Sequence, residues 1–145
     1  MRGASASAIT TRSSRANRAA ADRSERGEER ALRACRRLPW WCLGATRTPH
    51  RSQLDRWGID LVIETVDLGR IMIQVKSSEH RAAAFREYGK RLALRYRIHT
   101  IVIDDSLCDA EVFGRVLGTC ILAREEAIAA GLTCDDARLC RKEAA

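Results

Sequence analysis

Two short runs of β-branched residues, separated by a tight turn, constrain this chain more than any other feature of its sequence. They cover residues 59–66 and 70–75, with Asp67-Leu68-Gly69 between them. β-branched residues favour strands. A three-residue connection ending in glycine is a common hairpin loop, because glycine readily adopts the left-handed conformation required at the third position. The pattern therefore predicts a β-hairpin in which Val66 faces Arg70.

Three polar side chains share one face of this predicted hairpin. Side chains alternate along a strand, so Asp60 lies on the same face as Gln74 and Lys76. The three-residue loop places Asp60 opposite Lys76, about 5 Å apart at Cβ, with Gln74 on the diagonal at about 7–8 Å. Burying these charges costs free energy unless they are paired or bound to something. The spacing is compatible with a plain ion pair on a solvent-facing sheet or with a functional site.

The rest of the hydrophobic pattern predicts a single α/β domain, since 145 residues suffice for one domain. Apolar periodicity predicts a helix over 22–38, a short strand over 40–43, a helix over 77–95, a strand over 98–103 and a helix over 109–130. With the hairpin, this order predicts a central mixed sheet flanked by helices. We expect a disordered basic tail over 1–21, the domain proper over 22–131, and a C-terminal tail or short helix over 132–145.

Charge and composition narrow the class of partner. The chain has 26 Lys and Arg against 19 Asp and Glu, which gives a formal net charge of +7. An arginine-dominated surface suits a polyanion, because guanidinium binds phosphate in a fixed fork, but a compositional bias toward arginine explains the charge equally well. No apolar run approaches the roughly 18 residues of a membrane span. With no signal peptide visible, we expect a cytoplasmic protein outside the membrane.

The hairpin also carries a recognisable pair of motifs. Gly58-Ile59-Asp60 opens the first strand, and Gln74-Val75-Lys76 closes the second. This arrangement resembles the signature of the PD-(D/E)XK nuclease superfamily, in which an Asp precedes a Glu-x-Lys, Asp-x-Lys or Gln-x-Lys triplet. The resemblance covers roughly residues 25–105 and implies a restriction-endonuclease-like αβββαβ core. It further implies a metal-dependent endonuclease that hydrolyses DNA phosphodiester bonds.

The resemblance also implies a role for each residue of the motif. Asp60 would ligate Mg²⁺ or Mn²⁺, together with the amide oxygen of Gln74 and the main-chain carbonyl of Val75. Lys76 would orient the attacking water or stabilise charge on the phosphate. Gln74 stands where the family commonly has an acidic residue, so the site carries one negative charge fewer and should bind metal more weakly.

Two further acidic positions come into question. The family often adds a glutamate from the first helix, and Glu28 fits best because it precedes the apolar stripe by helical spacing, with Glu29 as the alternative. A solvated carboxylate near a helix start is the structural interpretation of Glu28. Asp55 either contributes to the metal site or caps a loop.

Basic residues around the hairpin fit a phosphate-binding track that positions DNA without reading its sequence. Those on the preceding loop and the following helix are Arg47, Arg51, Arg56, Arg81, Arg86 and Lys90. A solvated helix face explains them equally well. Sequence specificity would have to come from a homodimer, a partner protein or the structure of the DNA.

Two other functions stay open at this point. The chain could be a catalytically silent protein of the same fold that binds nucleic acid or a protein partner. It could also be an unrelated α/β protein with a surface ion pair.

Overall fold

Four strands form one mixed sheet in the computed structural model, which describes residues 6–132. In order across the sheet they are β1 Cys42–Arg47, β2 Leu61–Thr65, β3 Arg70–Lys76 and β4 Ile98–Val102. The first three strands are antiparallel, and β4 lies parallel to β3. The predicted α/β class with a mixed sheet flanked by helices is confirmed.

Helices cover both faces of this sheet. They are α1 Ala6–Cys35, α2 Gln53–Arg56, α3 Glu79–Tyr88, α4 Lys90–Tyr96 and α5 Asp109–Ala129. The main core lies between the sheet and the pair α1 and α5, and a smaller core lies beneath α2, α3 and α4. Two parallel strands need a long crossover, which α3 and α4 supply between β3 and β4.

The central strand β3 is buried on both faces. Ile71, Ile73 and Val75 pack into the main core, whereas Met72 belongs to the smaller one. Gln74 shares the face of Met72 and is only 3% exposed. A buried amide of this kind needs hydrogen-bond partners, because an unsatisfied buried polar group costs free energy.

The first helix is longer than the sequence pattern predicts. We expect a disordered basic tail over residues 1–21, but residues 6–21 continue α1 as far as Ala6, and residues 1–5 lie outside the described part. Residues 14–19 are exposed, so packing does not account for this extension. Alanine and arginine are strong helix formers, and a helix already nucleated by its packed C-terminal half extends at little cost.

Other element boundaries also differ from the prediction. The predicted strand over 40–43 begins only at Cys42 and runs to Arg47, and the short helix α2 lies where no helix or strand is predicted. The predicted helix over 77–95 is divided at Gly89, which ends α3 and precedes α4. Of the predicted C-terminal segment 132–145, only Leu132 belongs to the described residues.

The hairpin register is shifted by two residues from the predicted one. Leu61 pairs with Ile73 and Glu64 with Arg70. The turn closes at Thr65, whose N–H and hydroxyl both donate to the Gly69 carbonyl at 2.8 Å. A shift of two preserves which side chains share a face. It nevertheless places Asp60 beside Gln74 instead of opposite Lys76.

Arginines join the layers of the fold. Arg26 of α1 forms an ion pair with Asp105 at 2.9 Å. Arg124 of α5 binds Asp67 of the hairpin loop at 2.6 Å and lies over the Trp41 ring, 4.8 Å from its centroid. Part of the arginine excess therefore serves tertiary contacts instead of a polyanion.

Within residues 6–132, no helix is both long enough and apolar enough to cross a bilayer.

We predict opposite effects of alanine at two glycines. Gly58 has φ of 78°, and a Cβ there would lie 2.4 Å from Gln74 Oε1 and 2.8 Å from Phe85 Cε2. Gly58→Ala should therefore lower the free energy of unfolding by about 2 kcal/mol or more. Gly114, inside α5, has no atom within 4 Å of an added Cβ, so Gly114→Ala should raise it by about 1 kcal/mol. Urea unfolding measures both; equal stabilities of the two variants would contradict this account of Gly58.

Candidate metal centre at the start of β2

The Asp60 carboxylate is held in place by two hydrogen bonds to one of its oxygens. Oδ2 accepts from the main-chain N–H of Val75 at 2.7 Å and from Gln74 Nε2 at 3.0 Å. Oδ1 accepts no hydrogen bond from any residue in the range 6–132. The carboxylate is therefore oriented by β3, with its second oxygen left available to a ligand.

A cleft of about 580 Å³ lies beside this carboxylate. Its walls come from α1, from the segment after β1, from α2 and from the start of β2. The polar residues that line it are Ser24, Glu25, Glu28, Arg47, Thr48, His50, Asp55 and Asp60. Carboxylates from three separate segments, Glu28, Asp55 and Asp60, thus meet at one cleft.

Burial raises the pKa of Asp60 to about 6. The Val75 N–H bond opposes this shift, the negative charges of Glu28 and Asp55 reinforce it, and the positive charge of Lys76 opposes it. The folded protein therefore holds the ionised carboxylate at a free-energy cost near neutral pH. A bound cation would remove that cost, because it favours the charged form.

Gln74 acts on Asp60 through its amide nitrogen. Its Oε1 is buried and has no hydrogen-bond partner among the described residues, and it lies where any side chain at residue 58 would have to be. A half-turn about the last side-chain bond would exchange the two amide atoms and bring the oxygen next to Asp60. In the observed arrangement, Gln74 positions the carboxylate and its predicted ligand oxygen points elsewhere.

Lys76 stays close to this site without forming an ion pair. Its Nζ lies 5.3 Å from the centroid of the Phe85 ring, and none of the described carboxylates is within salt-bridge distance of it. Its charge still lowers the pKa of Asp60. The interpretation as a plain Asp60–Lys76 surface ion pair therefore does not describe this structure.

Glu28 reaches the predicted place but has a partner. Its Oε2 accepts from Arg47 Nη2 at 2.7 Å, and Arg47 also lies 3.7 Å from Glu25. Gly27 permits this approach of α1, since an added Cβ there would lie 3.2 Å from the Ile103 carbonyl oxygen. Glu29, the alternative, is exposed and lines a different depression of the surface.

The predicted phosphate-binding residues divide into two groups. Arg47 forms an ion pair with Glu28, and Arg86 forms one with Glu79 at 2.9 Å. The other four are exposed and form no ion pair with the residues of the described range: Arg51, Arg56, Arg81 and Lys90. Only this second group is free to contact phosphate.

Sequence reasoning missed two cleft residues, Thr48 and His50. The Thr48 hydroxyl is buried and has no partner in the part of the chain that the structure describes, while its N–H donates to the Asp60 carbonyl at 2.9 Å. His50 Nδ1 lies 3.7 Å from Asp55, whose Oδ2 accepts from the Arg51 N–H at 2.7 Å. Asp55 therefore has the predicted loop-capping contact and also faces the cleft. These residues could only be found once β1 was known to end at Arg47.

The donor set fits a hard cation that keeps much of its water. Among residues 6–132, no three His, Cys, Asp or Glu side chains lie close enough to hold a metal ion. Mg²⁺ is commonly bound through one or two carboxylates, with water completing its shell. Asp60 Oδ1 supplies one carboxylate oxygen. The Val75 carbonyl points to the same side as the Val75 N–H that binds Asp60, because both groups of one strand residue do so.

Comparisons of the chain with protein-family models, with curated proteins and with solved structures find no match.

We predict that Asp60→Asn stabilises the protein near neutral pH. The folded pKa of about 6 exceeds the ordinary value of 3.8, so wild-type stability should fall as the pH rises from about 4 through about 6. Asparagine can still accept both hydrogen bonds but carries no charge. The free energy of unfolding of the variant should equal that of wild type at pH 4 and exceed it by about 2–3 kcal/mol at pH 7.5.

Urea unfolding across this pH range measures the difference. Glu87→Gln, at an exposed carboxylate on α3, is the matched control and should show no such gain. A constant difference between Asp60→Asn and wild type at every pH would show that the carboxylate is not held at a cost.

Proposed function

We propose that this protein is a metal-dependent endonuclease that hydrolyses DNA phosphodiester bonds, with Asp60, Gln74 and Lys76 at its centre. One observation carries the proposal. A half-buried carboxylate, oriented through Oδ2 by β3, presents a free Oδ1 at an acidic cleft although its pKa is raised to about 6. Perturbed carboxylates in clefts are typical of functional sites.

The residues that would hold Mg²⁺ or Mn²⁺ are Asp60 and Val75, the latter through its carbonyl. Such an ion polarises the scissile phosphate and lowers the pKa of bound water. Gln74 and the Val75 N–H fix the direction of the Asp60 carboxylate, so that little reorganisation is needed when substrate binds. Glu28 could join the ligands only by giving up its bond to Arg47.

Lys76 would supply positive charge to the phosphate. Lys76 is half-buried, and its ammonium lies near the Phe85 ring and is not neutralised by a carboxylate among the described residues. Charge that develops on phosphate oxygens is stabilised most strongly by a donor held in place and partly shielded from water. Arg51 and Arg56, which flank Asp55 in sequence, would contact the DNA phosphates at the cleft. Arg81 of α3 and Lys90 of α4 would extend this contact with the DNA.

A catalytically silent nucleic-acid-binding protein is the second candidate. The contact between Glu28 and Arg47 favours it, because this contact already neutralises the second acidic group of the cleft. Gln74, which stands in place of an acidic residue, also lowers the negative charge available to a metal ion. Such a protein would retain salt-dependent DNA binding through its free arginines but would not cleave.

We predict that purified protein cleaves DNA only with a divalent cation. Supercoiled, linear and branched substrates should be assayed with Mg²⁺ and with Mn²⁺. Asp60→Asn and Lys76→Met should each reduce the rate by about 100-fold or more, because each removes charge stabilisation from the transition state. Arg36→Met, at an exposed position just after α1, should retain most of the activity.

The results separate the two candidates. Metal-dependent cleavage by the wild type that is lost in both Asp60→Asn and Lys76→Met would support the nuclease proposal. Salt-sensitive binding without cleavage by the wild type on any substrate would replace it with the silent binding protein.

We predict that Gln74→Glu increases metal affinity. A carboxylate at this buried position adds an oxygen ligand with negative charge next to Asp60, and metal affinity rises with ligand charge. The affinity for Mn²⁺, measured by titration calorimetry, should increase by about tenfold, while the metal-free variant should unfold more easily because it buries an unpaired charge.

Gln53→Glu adds the same charge at an exposed site on α2 and serves as the control. Equal Mn²⁺ affinities of Gln74→Glu and Gln53→Glu would place the metal elsewhere.

A further inference from the structure

A second cavity, of about 210 Å³, lies at the opposite end of β3 from Asp60. It is bordered by the first residues of β3, by the hairpin loop, by the C-terminal end of α4 with the start of β4, and by the last turns of α5. Asp60, in contrast, contacts Gln74 and Val75 near the end of the same strand. This cavity is therefore distinct from the cleft of the candidate metal centre.

The walls of this second cavity are largely apolar. Leu68, Met72, Ala123 and Ala127 line it together with the aromatic side chains Trp57 and Tyr96. The two aromatic rings are stacked, with centroids 4.0 Å apart and an interplanar angle of 16°. An apolar cavity of about 150 Å³ in another protein holds benzene. The volume here suffices for a single aromatic ring with one substituent.

Positive groups surround the open side of the cavity. Arg95 and Arg97 line it and are exposed, and neither forms an ion pair with the residues that the structure describes. Arg70 also lines it but is engaged by Glu64 at 2.7 Å. The guanidinium group of Arg95 lies 5.3 Å from the Tyr96 ring centroid. Two free guanidinium groups thus stand next to an aromatic wall.

His99 adds a polar group to the wall of this cavity. Its side chain is 15% exposed, and Glu126 lies 3.7 Å from its Nε2. Burial lowers the pKa of His99, so the ring is a neutral hydrogen-bonding group at neutral pH. Two glutamates lie next to lining residues: Glu64 is paired with Arg70, whereas Glu126 keeps its negative charge beside the neutral His99 ring.

The backbone at Arg97 is unusual. This residue ends α4 with φ of 53° and ψ of 49°, in the left-handed region where helices commonly have glycine. An arginine in this conformation is less favourable than glycine, because its Cβ crowds the backbone. Its presence is understandable if the guanidinium group is needed at the cavity.

We propose that this cavity binds a small flat anion, of the class of single-ring aromatic carboxylates. The ring would occupy the apolar interior beside Trp57 and Tyr96, and the carboxylate would bind Arg97 and Arg95 at the open side. Volume, apolar walls and uncompensated positive charge together select this chemistry. The proposal does not depend on the nuclease function.

Benzoate is the probe, and benzamide, which has the same shape without the charge, is its control. Both should be titrated into the full-length chain by calorimetry, with ligand-induced changes in the melting temperature as a second readout. Benzoate should bind saturably, and benzamide about tenfold or more weakly, because a charged hydrogen bond to guanidinium is lost. Equal affinities of the two compounds would overturn the assignment of an anion.

Three variants locate the binding. Arg97→Gly should reduce benzoate affinity to that of benzamide without lowering the melting temperature, since glycine adopts the left-handed conformation freely. Ala127→Leu should fill the cavity and abolish binding of both compounds, whereas Arg91→Ala, on α4 outside the cavity, should change neither.

Two results would overturn the proposal. One is the absence of saturable benzoate binding by the wild type. The other is unchanged benzoate affinity in either Arg97→Gly or Ala127→Leu, which would place the anion on the surface or elsewhere.

Discussion

The burial of β3 on both faces is the constraint on which the rest of this structure depends. Residues 71–75 are all buried, so helices must cover both sides of the sheet. A parallel partner strand also requires a long crossover, and α3 with α4 provides it while covering the second face. Because Gln74 lies inside this strand, its amide must find a partner within the protein, and Asp60 is that partner. The geometry of the candidate centre is thus a consequence of how the central strand is packed.

Asp60 illustrates how a site can oppose the stability of its own fold. The two hydrogen bonds to Oδ2 favour the carboxylate, but burial and the neighbouring acidic groups outweigh them and raise the pKa to about 6. Within residues 6–132, Gln74 Oε1 and Thr48 Oγ1 remain buried without hydrogen-bond partners. Unsatisfied polar atoms and a destabilised charge concentrated at one end of β3 are unexpected in a region that serves packing alone, and functional sites commonly carry such costs.

Arginine has several distinct uses in this protein. Arg26 and Arg124 join helices to loops, Arg47 neutralises a cleft carboxylate, and Arg51 and Arg56 remain free beside the cleft. Arg95 and Arg97 surround the cavity at the other end of β3. The net charge therefore overstates the surface available to a polyanion. Which arginines are free depends on whether an acidic group lies within reach in the folded chain.

The sequence by itself determined the fold class, the hairpin and the common face of Asp60, Gln74 and Lys76, because strand alternation and apolar periodicity are local properties of the chain. Only the folded structure decided the register: the contact between Thr65 and Gly69 closes the turn one residue earlier on each strand than predicted, which shifts the pairing by two residues. It also decided that Glu28 reaches the cleft but binds Arg47, and that Thr48 and His50 line the cleft. The contacts at the cleft join segments far apart in sequence, whose distances no local pattern specifies.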